Sequence, residues 1–194
     1  MRIIRAHDLT RTRWKNGGGE TMEIAVYPVD AKLEDFEWRV SMALVSSGGP
    51  FSHFPQIDRT LTVLEGGPLT LSINNEREIT LTSTSAPSSF PGDGSISARL
   101  EGDEVTDLNV MTRRGIFGHR VTPVVIDRGV KVIEVHAPFF ILVRSGAIRV
   151  TGAGKSERLE QYDSAFFDEA GMIKVEIQSD TASHLLAIDI FAEH

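Results

Sequence analysis

The chain has no cysteine among its 194 residues, which excludes disulfides, thiolate catalysis and Cys-ligated zinc or iron–sulfur centres. It also lacks a positive balance. Twenty Lys and Arg stand against 27 Asp and Glu, for a formal net charge of -7, which argues against general binding to nucleic acid or to an anionic membrane surface. No apolar stretch approaches the length of a membrane span, and the opening MRIIRAHDLTRTRWKNGGG carries charges every few residues with no signal-peptide core. The expectation is a soluble cytoplasmic protein. Its six histidines, at 7, 53, 119, 136, 184 and 194, never fall two to four apart, so no strand or helix carries a local metal-ligand pair. A long-range set such as His53 with His119 or His136 stays open, but the expectation is no metal and no cofactor.

What is present is strand. With 41% hydrophobic residues the chain can bury a proper core. Alternating or β-branched runs recur at Thr21–Tyr27, Phe36–Leu44, Thr60–Leu64, Leu69–Ile73, Glu78–Leu81, Ser95–Leu100, Thr106–Thr112, Lys131–Val135, Phe140–Val143, Ala147–Thr151, Lys174–Gln178 and Leu185–Phe191. Turn signals such as Ser47-Gly48-Gly49-Pro50, Gly66-Gly67-Pro68 and Pro91-Gly92-Asp93-Gly94 separate them. That rhythm predicts an all-β sandwich or barrel. The run Gly152-Ala153-Gly154-Lys155-Ser156 echoes a phosphate-binding loop, but Arg149 stands where such a loop needs its first glycine. A hairpin turn is expected there.

A weak internal repeat lays Arg59–Asp107 over Phe139–Asp189, with Gly66 opposite Gly146. It predicts two barrels, residues 1–120 and 121–194, in one compact unit. The second copy has Phe140, Ile141 and Leu142 near the position of Arg59 and no comparable ionisable cluster. The site is expected in the first barrel, and the second is expected to serve packing.

The most informative stretch is Gly49–Gly67, GPFSHFPQIDRTLTVLEGG. It resembles the metal-binding strand pair of cupin barrels, in which a His-x-His pair precedes a Glu and then a turn glycine. Aligning that glycine on Gly66 puts His53 and Pro55 at the paired histidines and Arg59 at the carboxylate. A guanidinium repels a divalent metal and offers a planar fork to carboxylates, so this barrel mouth is expected to hold an organic anion. Strand alternation puts Arg59, Leu61 and Val63 on one face, inward by cupin geometry. A buried guanidinium needs a partner, either a protein carboxylate such as Asp58, Asp107 or Glu23, or a ligand. On the strand Asp107–Arg114, alternation sets Asp107, Asn109, Met111 and Arg113 together. Asn109 suits a formyl or amide group, and Arg113 is a candidate for a second ligand carboxylate. Arg114 reads better as a surface pair. Trp14, beside Gly17-Gly18-Gly19, is either part of a lid or a plug of the core. Glu23 is a candidate to orient an arginine from behind. The candidate ligand-binding set is therefore His53, Arg59, Asn109, Arg113 and Trp14, supported by Glu23 and Asp107.

Four segments, WKNGGGETMEIAVYP at Trp14–Pro28, Phe36–Gly66, FPGD at Phe90–Asp93 and DLNVMTRRG at Asp107–Gly115, together resemble the HutD/Ves family of bicupins. The resemblance implies an all-β fold of two cupin-like, double-stranded β-helix barrels in a cytoplasmic bacterial protein without established catalysis. It also implies, for the HutD branch, a role in histidine utilisation with formylglutamate as ligand and, for the Ves branch, a link to stress responses. Three functions stay open at this stage. The first is a binding protein and regulator for a small acidic metabolite. The others are a metal-dependent cupin enzyme, an isomerase or dioxygenase, and an interaction protein with a vestigial site, for which a homodimer is one open assembly.

Overall fold

The computed structural model describes Met1–Glu193. In chain order its strands are β1 (Arg2–Ile4), β2 (Arg11–Arg13), β3 (Gly19–Tyr27), β4 (Trp38–Val45), β5 (Gly49–Pro50), β6 (Ile57–Gly66), β7 (Leu69–Ile73), β8 (Arg77–Leu81), β9 (Ser88–Pro91), β10 (Ile96–Leu100) and β11 (Val105–Arg113). They continue with β12 (Phe117–Ile126), β13 (Gly129–His136), β14 (Phe139–Ser145), β15 (Ile148–Gly152), β16 (Lys155–Leu159), β17 (Ser164–Phe167), β18 (Met172–Ser179) and β19 (Ser183–Ala192).

Two compact units result, one of Thr10–Gly118 with Glu193 and one of Met1–Leu9 with His119–Ala192. The division expected at residue 120 is thus corrected at the N-terminus. Residues 1–9 belong with the second barrel rather than the first, since β1 pairs antiparallel with β17, Ile3 opposite Ala165. Arg5 and Ala6 add hydrogen bonds to the Asp163 carboxylate at 2.8 and 2.9 Å. The segment is held by this ladder, by these bonds and by Met1 and Ile3, which pack with the second core, and the partners lie far along the sequence, Asp163 being 158 residues from Arg5.

Each unit has two sheets, and the strand orders repeat. The first unit orders its strands β2-β3-β4-β11-β6-β9 and β5-β10-β7-β8; the second has β1-β17-β14-β19-β12 and β13-β18-β15-β16. The run β4-β11-β6-β9 therefore corresponds to β12-β19-β14-β17, and the smaller sheets correspond strand for strand. The repeat expected from Gly66 and Gly146 is a repeat of topology. Both glycines have positive φ, +103° and +86°, and a Cβ built on Gly66 would lie 2.1 Å from the Glu104 carbonyl oxygen. Gly66→Ala is therefore expected to lower stability by about 1–3 kcal/mol through backbone strain, read as a lower urea midpoint with unchanged slope.

Some strands escaped the sequence pattern. β12 contains Arg120 and Pro123 within FGHRVTPVVI, which breaks the alternation. It stands at the end of its sheet, where a missing N–H is tolerated. The hairpin expected at Gly152–Ser156 is present: β15 pairs with β16, Gly152 opposite Lys155, and Ala153 and Gly154 take the left-handed conformation a two-residue loop demands.

Apolar residues fill both barrels. Leu61, Val63, Leu69, Leu71, Phe90 and Ile96 build the first core. Phe139, Ile141, Val143, Val150, Phe167 and Leu185 are among those building the second. Beside the first core, a smaller cluster of Phe36, Ile57 and Met111 packs with Val26 and Phe54.

Candidate ligand site

Register brings the polar residues of the first barrel to one face. On β11, Met111 lies opposite Arg59 of β6 on one side and Arg39 of β4 on the other; Asn109 lies opposite Leu61 and Ser41, and Asp107 opposite Val63 and Ala43. Residues directly opposite in a sheet point the same way, so Arg39, Ser41, Arg59, Asp107 and Asn109 share a face with Leu61 and Val63, which lie in the core. Arg59 is inward and only 8% exposed, as the cupin resemblance implied.

Asn109, rather than a carboxylate, partners Arg59. Nε and Nη2 of Arg59 donate to Asn109 Oδ1 at 2.8 and 2.6 Å, and Asn109 Nδ2 donates in turn to Asp107 Oδ1. The guanidinium lies 4.6 Å from the ring centre of Phe51 and 5.7 Å from that of Phe90, within cation–π range of both. Among the described residues, no acceptor engages Nη1 and no carboxylate lies within ion-pair distance of Arg59.

Burial dominates the electrostatics. It raises the Asp107 carboxyl to about 7, against the Arg59 charge and the Asn109 hydrogen bond, which both favour the anion. It lowers Arg59 to about 10, with Asp107 opposing and the Arg39 charge adding to the fall. Near neutral pH Asp107 therefore carries only part of a negative charge.

The other expected residues divide. Trp14 donates through Nε1 to Thr21 Oγ1 at 2.8 Å, and its ring lies against Gly19. The glycine loop is pinned by Ser46 and Ser47, whose backbone N–H groups both donate to Gly18 O. Glu23 accepts from Arg39 Nε at 2.8 Å, so the arginine it orients is Arg39 rather than Arg59.

Two placements are corrected. His53 is exposed and is not among the partners of Arg59, because residues 51–56 leave the ladder and Gln56 turns through a φ of 59° before β6 begins. Phe51, two residues earlier, takes the place against the guanidinium. Arg113 is turned to the backbone: Nε and Nη2 donate to the Phe36 carbonyl at 3.2 and 2.9 Å, and Nη2 to that of Glu34 at 3.3 Å. It closes the end of β11 onto a segment whose carbonyls need donors. Arg114 is a surface residue paired with Asp58 and Asp93, as expected.

Sequence reasoning missed Arg39, Phe51 and Phe90. A signal for Arg39 exists, since it is the one charge in WRVSMALV, on the face opposite Trp38, Val40 and Met42.

Cupin barrels use this region for a metal, but the residues here do not fit one. The carboxylate position is Arg59, the paired-histidine frame holds only the exposed His53 and Pro55, and among the described residues no cluster of three His, Asp or Glu side chains could hold an ion.

Two barrels of two sheets each, six and four strands in the first and five and four in the second, with an inward arginine at the metal position of the first, define a bicupin. A cupin 2 conserved barrel domain protein from Leptotrichia buccalis shares this fold with a TM-score of 0.64 at 12% identity, over 98% of this chain and 96% of that one. The HutD family model matches residues 6–187, and the chain belongs to the HutD family. HutD from Pseudomonas fluorescens SBW25, solved in a formate condition, is 28% identical with a TM-score of 0.83, covering 100% of this chain and 99% of that one. Protein Ves from Citrobacter koseri is 44% identical over 102 residues, 52% of each chain. The chain spans about half the length of the curated relatives it matches. No helix is long and apolar enough to cross a membrane among the described residues.

Proposed function

We propose that the barrel of Thr10–Gly118 binds a small acidic metabolite of the formylglutamate type, with Arg59 receiving a carboxylate, and that the protein acts without catalysis as a cytoplasmic regulator of histidine utilisation. One observation carries this reading. At the equivalent register positions of the second barrel, Phe139 takes the place of Arg59, while Ala187 and Leu185 take the places of Asn109 and Asp107. The same topology closes over an apolar core there, so the fold does not require the buried Arg59–Asn109–Asp107 chain. A buried charge that the architecture can do without points to recognition.

The chemistry fits a carboxylate. Arg59 is held in place by a neutral amide and two aromatic faces, which orient its charge without cancelling it, and Nη1 remains as a donor. Membership of the HutD family supports the physiological setting. Titration calorimetry with formylglutamate, glutamate and formate tests the reading. Wild type is expected to bind, and Arg59→Ala to weaken binding by about 2–5 kcal/mol, as for loss of a desolvated charged pair. Equal affinities in the two proteins would remove Arg59 from the site.

A further inference from the structure

Arg39 was assigned no role by the motif, yet it lies on the same inward face as Arg59. Both flank Met111, one on each side of β11, so their Cα atoms are two strand spacings, about 10 Å, apart. Their charges feel each other, since Arg39 helps to lower the pKa of Arg59. The Arg39 side chain is 12% exposed, while Glu23, its partner through Nε, is 44% exposed. Among the described residues no acceptor engages the two Nη groups of Arg39. Across Met111 from Arg59 there is thus a second, largely enclosed guanidinium whose single carboxylate partner stands partly in water.

We infer that Arg39 is the second anchor of the site and that the ligand is a short dianion, one carboxylate on Arg59 and the other on Arg39. This rests on the proposed anion site at Arg59 and replaces Arg113, whose guanidinium is committed to the Phe36 and Glu34 carbonyls. Two like charges on one barrel face repel each other, and Glu23 offsets only one of them from the rim. A diacid that spans the pair relieves the repulsion, whereas a monoacid leaves Arg39 as it is. The site therefore selects for the second negative charge, and Arg39 is the residue that reads it.

Glutarate and its monoamide separate the two anchors, because they match in length and shape and differ by one charge. Isothermal titration of the wild-type protein is expected to show glutarate binding tighter by about tenfold or more, the equivalent of about 1.4 kcal/mol. In Arg39→Gln the preference is expected to vanish, with glutarate weakened by about tenfold more than the monoamide. Equal wild-type affinities for the two ligands, or an Arg39→Gln variant that weakens both in parallel, would overturn the inference while leaving Arg59 as an anion site. Failure of the wild type to bind either ligand would overturn both readings. The wild-type comparison needs no substitution, so it decides the matter even if Arg39→Gln does not fold.

Discussion

Replacing Asn109 by leucine is expected to destabilise the first barrel by about 3–5 kcal/mol, the range found when one partner of a buried charged contact is removed. The size follows from what is left behind. Asn109 Oδ1 accepts from both Nε and Nη2 of Arg59, which is 8% exposed, so leucine would strand a guanidinium with two lost acceptor contacts. The amide also donates to Asp107, and that carboxyl would lose its hydrogen bond as well. Urea denaturation followed by tryptophan fluorescence measures the loss. The control is the double variant Arg59→Met with Asn109→Leu, which removes the charge together with its acceptor. It is expected to recover much of the stability, because the second barrel closes with Phe139 and Ala187 at these positions. A single variant as stable as wild type would show that Arg59 finds other acceptors and that the Asn109 bond contributes little.

The second large effect is in pH. The folded-state pKa of Asp107, about 7, lies above the ordinary carboxylate value of 3.8. A group raised in this way binds its proton more tightly when folded, so its stabilising contribution is complete below about pH 4 and is lost as pH rises through about 7. Integrated over that window the loss is on the order of 4 kcal/mol. Wild-type stability is therefore expected to fall between about pH 4 and pH 7, whereas Asp107→Asn should lack this contribution and should exceed wild type at the upper end. Asp163 does not confuse the comparison: hydrogen bonds and the Arg5 charge hold its pKa below the ordinary value despite burial, so its stabilising contribution is lost only as pH falls into the acid range. Urea midpoints at several pH values for both proteins check this, and parallel curves would exclude Asp107 as the titrating group. The same protonation bears on recognition. Once Asp107 is neutral the Arg59 charge is uncompensated, so anion affinity is expected to rise as pH falls from about 8 to about 6.

Both effects depend on one feature of the barrel: the polar chain lies inside, flanked by apolar layers. Met111, Ile57 and Phe36 pack on one side, and Leu61, Val63 and Phe90 on the other. Water that would screen these charges is largely displaced, which is why an amide, a carboxyl and a guanidinium on neighbouring strands perturb one another so strongly. The second barrel, with the same strand order, has no such layer at these positions, and its inner face is filled by Phe139, Ile141 and Val143. The same strand order thus holds the polar chain Arg59–Asn109–Asp107 in one barrel and Phe139, Ala187 and Leu185 at the equivalent positions of the other.

Local sequence was sufficient wherever the determinant was periodic or close in the chain. Alternation along RTLTV put Arg59 on one face with Leu61 and Val63, and the cupin resemblance turned that face inward; the glycines at 66 and 146 marked equivalent turns; alternation on β11 grouped Asp107 with Asn109. The absence of cysteine and of paired histidines removed whole classes of metal and redox chemistry, and four local segments carried the resemblance to the family. Only tertiary structure decided what Arg59 touches. Its acceptor is 50 residues away, its aromatic neighbours come from the segment after β5 and from β9, and Arg39 reaches the same face from two strands across. It also withdrew His53 and Arg113, one because its loop leaves the ladder and the other because backbone carbonyls claim its donors. The physical reason is register: which residue faces which across a sheet depends on how distant strands pair, and neither composition nor the pattern within any one strand contains that information.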